Sequence, residues 1–344
     1  IERALERGNE LPVDEVEQLL RDLLASAPRA ALAAEMSRRL GRPLEAFDIY
    51  YRDLRPQESA EGFDEAVRKR FPDFGAFQRQ LPQILGELGF SNDTARFLAR
   101  WIVVEPSRGN GHASAAGLPE YPSFLRTNRV DGRMDWPGLG CSMHELGHCV
   151  EQVFGLHRSP SPALRGIPCL AATEAMAFTF QSFAHDVAGL PRPAHHREHE
   201  TLTTFLNACE IAGPSLVDLL CWRWLYDHPD AGPKDLMEAT LAITDEVWGT
   251  YYAEHFGPDE NHLLAAYQHM IGMMLYLPNY TVGHVIAHQV SRRLTGDNFA
   301  AEVERMCSLG RLTPDQWLRE AVGEGLSAEP LIRDAGNALT VLSP

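Results

Sequence analysis

The chain has 344 residues, 44% of them hydrophobic and 23% charged, which suits a globular protein with a large buried core and argues against disorder. Its formal net charge of -16 would repel a phosphate backbone, so nucleic acid is excluded as a partner while neutral or basic peptides are not. Six cysteines without a CxxC pair exclude a disulfide scaffold, and most of them read as buried thiols.

In chain order, Leu5, Val16, Leu19, Leu20, Leu23 and Leu24 recur at helical spacing among charges over residues 2–39. They predict one or two amphipathic helices ended by Gly41 and Pro43. Residues 63–88 read as a further helical stretch, leading to a β-branched run at Trp101-Ile102-Val103-Val104. Glycine and proline are dense between Pro106 and Pro137, with strand character at residues 124–128, so the small sheet is expected there. From Gly140 onward helical patterns return, separated by Pro-rich loops at 159–168 and 190–193. His195, His196 and His199 fall beside the second of these and read as a solvated surface. No run of 18 apolar residues appears, so no membrane span is expected.

The chemistry is concentrated in Cys141-Ser142-Met143-His144-Glu145-Leu146-Gly147-His148, an HExxH motif on a helical pattern. Residues four apart lie one turn apart on the same helix face, so both imidazoles can reach one Zn²⁺. Glu145 stands beside them, placed to take a proton from a metal-activated water. A catalytic zinc needs a third protein ligand, and Glu174 lies 26 residues after His148 in an Ala-rich stretch. A carboxylate buried there without a partner is costly, and a metal removes that cost; an ion pair with an arginine such as Arg165 is the alternative. One zinc per chain is expected.

HELGH with a downstream glutamate resembles the gluzincin metallopeptidases, and the flanks resemble the thimet oligopeptidase and oligoendopeptidase family, with echoes of angiotensin-converting enzyme. The segment Arg108-Gly109-Asn110-Gly111-His112-Ala113-Ser114-Ala115 is similar to the glycine-rich segment that holds substrate backbone in that family, which assigns substrate contact to His112 and Ala113. Ala46-Phe47-Asp48-Ile49-Tyr50-Tyr51 resembles the opening of its catalytic domain, and Ala328-Glu329-Pro330-Leu331 its closing turn. Residues 275–289 are similar to the helix carrying a transition-state tyrosine. The simplest alignment assigns that role to Tyr280, with Tyr276 as runner-up, His269 as a second donor and His284 near the substrate.

The resemblance implies a mainly α, gluzincin oligopeptidase-like fold, with a small β-sheet beside the HExxH helix and a deep active-site cleft. It covers roughly residues 44–337. Residues 1–344 are expected to form a single catalytic unit, with 1–40 as an N-terminal helical arm left from a longer upstream region. The implied function is zinc-dependent hydrolysis of peptides with Glu145 as general base; the rival is a peptide-binding pseudo-peptidase. A cytoplasmic location is favoured, and an extracytoplasmic one stays open because the chain begins at Ile1 without an initiator Met. Two departures stand out. Phe178 occupies a position where relatives often have an acid, and Gly140 another, so the outer nitrogens of the zinc histidines must be held from elsewhere, with Asp135, a backbone carbonyl or Thr179 as candidates.

Overall fold

The structure, a computed structural model, describes the chain apart from residues 1–2, 9, 52–53, 55–59, 74, 108–110, 128–133, 259–261, 295–296 and 343–344. Arg108, Gly109, Asn110 and Asn128 of the motifs above therefore lie outside the described residues. The helices are α1 (Ala4–Gly8), α2 (Val13–Leu24), α3 (Pro28–Leu40), α4 (Ala60–Arg70), α5 (Gly75–Glu87), α6 (Asn92–Trp101), α7 (Trp136–His157), α8 (Leu170–Gln181) and α9 (Ala184–Ala188). They continue with α10 (His196–Asp227), α11 (Pro233–Tyr251), α12 (Ala253–Phe256), α13 (His269–Gly272), α14 (Leu277–Ser291), α15 (Phe299–Ser308), α16 (Pro314–Val322) and α17 (Glu329–Leu342). Among the described residues three strands, β1 (Ile102–Pro106), β2 (His112–Ala115) and β3 (Ser123–Thr127), complete a mainly α fold with a small sheet. No helix among the described residues is long and apolar enough to cross a membrane.

The chain divides into two compact units, the first comprising Ile1–Pro56, His195–His288 and Ser327–Pro344, the second Gln57–Ala194 and Gln289–Leu326. In the first, the apolar stripe of α2 buries Val16, Leu19, Leu20, Leu23 and Leu24 against the long α10. Gly41 ends α3 in the left-handed conformation, φ 67°, which glycine adopts without a Cβ penalty. Residues 46–50 form a 3₁₀ turn in which Arg42 grips buried Asp48 through two bonds of 2.7 and 2.9 Å. His196 and His199 correct the sequence reading: α10 starts at His196, so its helical period turns both imidazoles inward while His195 stays exposed. The proline-rich flank had concealed that helix start.

Asp218 of α10 is buried and accepts the backbone N–H of Leu275 at 3.2 Å. Leu275 sits at φ 55°, a conformation unusual for a branched side chain, in the turn that leads into α14. Burial pushes the Asp218 carboxyl up to about 7, against the hydrogen bonds from Leu275 and Trp222.

In the second unit the predicted helix 63–88 is two helices, α4 and α5, broken around Pro72, and α6 follows with Ser91 as its cap, its Oγ accepting from Thr94 N–H at 3.2 Å. The sheet order is β1-β3-β2, with β1 parallel to β3 (Ile102↔Ser123) and β2 antiparallel to it (His112↔Arg126). It is fastened to α7 where Thr127 Oγ1 meets Ser142 Oγ at 2.7 Å and the Gly138 carbonyl at 3.2 Å. The core of this unit gathers Phe77, Leu81, Leu98, Leu146 and Phe154 among others.

α7 and α8 pack tightly at Gly147, where a Cβ would lie 2.7 Å from both Ala177 Cα and the Met176 carbonyl oxygen. Backbone stands on both sides of that gap, so no rotamer change relieves the overlap.

Two outcomes are expected. Gly147→Ala forces α7 and α8 apart, costing about 1–3 kcal/mol; thermal denaturation of the metal-free protein measures it, and an unchanged midpoint would contradict the packing. For Asp218, the folded state keeps a proton that the unfolded chain releases near pH 4, so its stabilising contribution is complete below pH ~4 and disappears as pH rises to ~7. Asp218→Asn, which still accepts from Leu275, removes that loss. Urea denaturation at pH 5 and pH 8 is expected to show the variant gaining on wild type by on the order of 1–3 kcal/mol between the two pH values.

Candidate metal centre and active site

Asp135 starts α7 by accepting the Gly138 N–H at 2.8 Å, with Pro137 in the first turn where its missing N–H costs nothing. Two turns further on, the helix brings His144 and His148 together, ring centroids 5.0 Å apart and nearly perpendicular. α8 begins after Cys169, whose sulfur accepts the Ala172 N–H at 3.4 Å, and its Ala-rich face lies on α7 at Gly147.

This contact carries Glu174 to the two imidazoles. Its Oε2 lies 3.5 Å from His144 Nε2 and 3.8 Å from His148 Nε2, and one ligand atom from each residue falls within 4.8 Å of the others. Donors bound tetrahedrally at about 2.0–2.1 Å stand about 3.4 Å from one another. The spacing therefore fits a divalent ion with only small side-chain adjustments. Among the described residues this is the one such cluster of His, Cys, Asp and Glu side chains.

The outer nitrogens are held as a metal site requires. His144 Nδ1 lies 3.2 Å from Gln181 Oε1, and His148 Nδ1 lies 3.0 Å from Thr173 Oγ1. Neither partner was among the candidates read from the sequence. Asp135 is engaged at the helix start, and the Thr179 hydroxyl donates to the Ala175 carbonyl at 2.8 Å. A signal existed in the helical period: Gln181 follows Glu174 by two turns on the same helix face.

Glu145 is buried, 6% exposed. Burial pushes its carboxyl up to about 7; His144 and the backbone N–H of Ala113 oppose this, and Glu174 reinforces it. Burial likewise drives the His148 imidazole down to about 4. For His144, burial acts downward too, but the Glu174 carboxylate beside it leaves the imidazole above its ordinary value.

The segment of His112 and Ala113 is β2, an edge strand of the sheet. At its start Gly111 presses on α7, where a Cβ would meet Cys141 Sγ at 2.0 Å and Glu145 Oε1 at 3.4 Å. His112 is exposed, with Nε2 3.4 Å from Arg126 Nη1. Arg126 is itself fixed by Glu105 at 3.0 Å and Ser114 at 2.7 Å.

His269, Tyr276, Tyr280 and His284 belong to the first unit. Three of them form one aromatic group: Tyr280 has its ring centroid 5.3 Å from Tyr276 and 5.7 Å from His269. His284, one turn beyond Tyr280 on α14, is buried. His288 is also buried and bonds Asp334 at 3.0 Å.

No family model matches the chain, and no curated protein matches its sequence. Solved structures do. Trypanosoma cruzi metallocarboxypeptidase 1 is similar with a TM-score of 0.60 at 15% identity, covering 97% of this chain and 68% of that one. PZ peptidase A gives 0.61 at 14% identity over 97% and 59%. A Bacillus anthracis protein named as an oligoendopeptidase F gives 0.60 at 13% identity over 97% and 56%. The chain thus spans little more than half the length of that last protein. At these identities the likeness is one of fold: the chain is built as helical peptidases are.

Proposed function

We propose that the protein is a zinc-dependent peptidase that hydrolyses peptide bonds in peptides or oligopeptides. The observation that carries this reading is the convergence of His144, His148 and Glu174, with Glu145 on the same helix turn. Two imidazoles and one carboxylate form a donor set of catalytic zinc, which leaves a fourth position open. The fold shared with peptidases supports the same reading.

In this reading His144, His148 and Glu174 hold the ion. A bound zinc ion supplies Lewis acidity, polarising a carbonyl and making water acidic near neutral pH. Glu145 takes the proton of the attacking water and returns it to the leaving amine, and a carboxyl held at about 7 suits both tasks. β2 supplies backbone groups along which an extended peptide can lie, with His112 and Ala113 nearest the reacting bond. Tyr280 donates to the oxyanion, with His269 as second donor and Tyr276 and His284 contacting substrate; these assignments rest on the resemblance of residues 275–289 to a known helix.

Glu145→Gln is expected to keep zinc and lose on the order of 10² to 10⁴ in kcat, because the amide cannot accept the proton. Glu174→Ala should lose the metal as well. Elemental analysis beside hydrolysis of a mixed peptide library separates the two effects, and wild-type turnover in Glu145→Gln would end the assignment.

For Tyr280→Phe, normal zinc content and a loss of about 10² to 10³ in kcat with little change in KM are expected, since only the hydroxyl is removed. Tyr276→Phe should do less. Steady-state kinetics on one peptide decide the matter: the larger defect in Tyr276→Phe would exchange the two roles.

A further inference from the structure

Glu151 has no part in the chemistry above, yet it is among the most buried charged side chains, 1% exposed. It stands three residues after His148 on α7, within the core that includes Cys149, Val150 and Phe154. Neither of its carboxyl oxygens has a hydrogen-bond partner. Burial pushes this carboxyl up to about 8, and the nearby Thr173 hydroxyl opposes the push. A carboxyl so placed is costly to the fold, and an apolar side chain would fill the position at lower cost.

Thr173 supplies the link to the candidate metal centre. The hydroxyls of Thr179, Thr203, Thr240 and Thr244 turn back to the carbonyl four residues earlier on their own helices. The Thr173 hydroxyl instead meets His148 Nδ1 at 3.0 Å. His148 presents Nε2 to the ligand cluster, so a metal-binding His148 carries its ring proton on Nδ1 and donates it to Thr173 Oγ1. The hydroxyl then has one proton left to give, and Glu151, three residues beyond His148 on α7, offers two buried oxygens that lack a partner. His144, by contrast, meets its acceptor directly in Gln181.

We propose that Glu151 is a positioning residue for metal capture, acting through Thr173 on His148 in a chain in which His148 Nδ1–H donates to Thr173 and Thr173 O–H donates to Glu151. The chain fixes the tautomer of His148 and raises the basicity of its Nε2. It rests on the reading that His148 binds the metal.

The test titrates Zn²⁺ into the metal-free full chain against a chromophoric chelator, alongside thermal denaturation of the metal-free protein. Thr173→Val and Glu151→Met are each expected to bind Zn²⁺ about 10- to 100-fold more weakly than wild type. The double variant should be no weaker than the weaker single one, because both act through one chain. Metal-free Glu151→Met should melt no lower than wild type, a split between stability and affinity that a purely structural role would not give. Glu151→Gln, whose amide oxygen still accepts from Thr173, should fall between wild type and Glu151→Met. If Glu151→Met does not fold, Glu151→Gln alone and combined with Thr173→Val carries the same comparison. Wild-type affinity in the Glu151 variants, or additive losses in the double variant, would overturn the proposal. His148→Ala distinguishes the two levels: if it loses zinc while the Glu151 variants keep it, the relay alone fails, and if it keeps zinc the metal reading fails and takes the relay with it.

Discussion

A carboxylate buried against two imidazoles is the constraint on which the second unit depends. Glu174 is 3% exposed, and an ionised carboxylate at that depth is strongly disfavoured without compensating charge. His144, whose imidazole lies above its ordinary value, compensates in part, and a divalent cation between the three would do so fully. The local sequence serves this contact. Asp135 sets where α7 begins, Gly147 lets the helices touch, and the alanines of α8 keep the approach close enough for Glu174 Oε2 to face both Nε2 atoms.

The same low-dielectric setting explains why two glutamates a short distance apart can differ in role. Glu174 is drawn into the ligand cluster, where its Oε2 faces both Nε2 atoms. Glu145 faces β2, is raised by burial, and is restrained by His144 and by the backbone N–H of Ala113. Its environment thus holds it near neutrality, where a proton can be both accepted and released. The short sheet contributes by rigidity: β3 is pinned to α7 through Thr127 and Ser142, and it in turn holds β2 against Glu145. A longer sheet is not needed for that task.

Much of this was legible in the sequence because the signals are local. Helical periodicity disclosed the mainly α build, HExxH disclosed a helix face with two imidazoles, and an isolated glutamate in an Ala-rich stretch disclosed its own need for a partner. What was missed depends on tertiary contact or on weak local preference. β2 reads His-Ala-Ser-Ala, without β-branched residues, and is a strand because β3 offers it a ladder. α6 carries so many charges that its narrow apolar stripe, Ala95 and Leu98, escaped notice. Thr173 and Gln181 became visible as supports of the histidines only once α8 lay on α7.

Buried acids recur as positioning devices in both units. In the first, Asp218 secures the N–H of Leu275 in a backbone conformation that a leucine seldom adopts, and that turn fixes where α14 begins and with it Tyr276 and Tyr280. In the second, Glu151 stands behind Thr173 and His148. Each is a carboxyl whose burial is costly, and each stands beside a group to which chemistry is assigned. A fold with long helices and well-filled cores can tolerate a few such groups, since each costs a small part of what the packing contributes. Where a buried carboxyl has no evident structural return, the residue it touches next is therefore the place to look for its use.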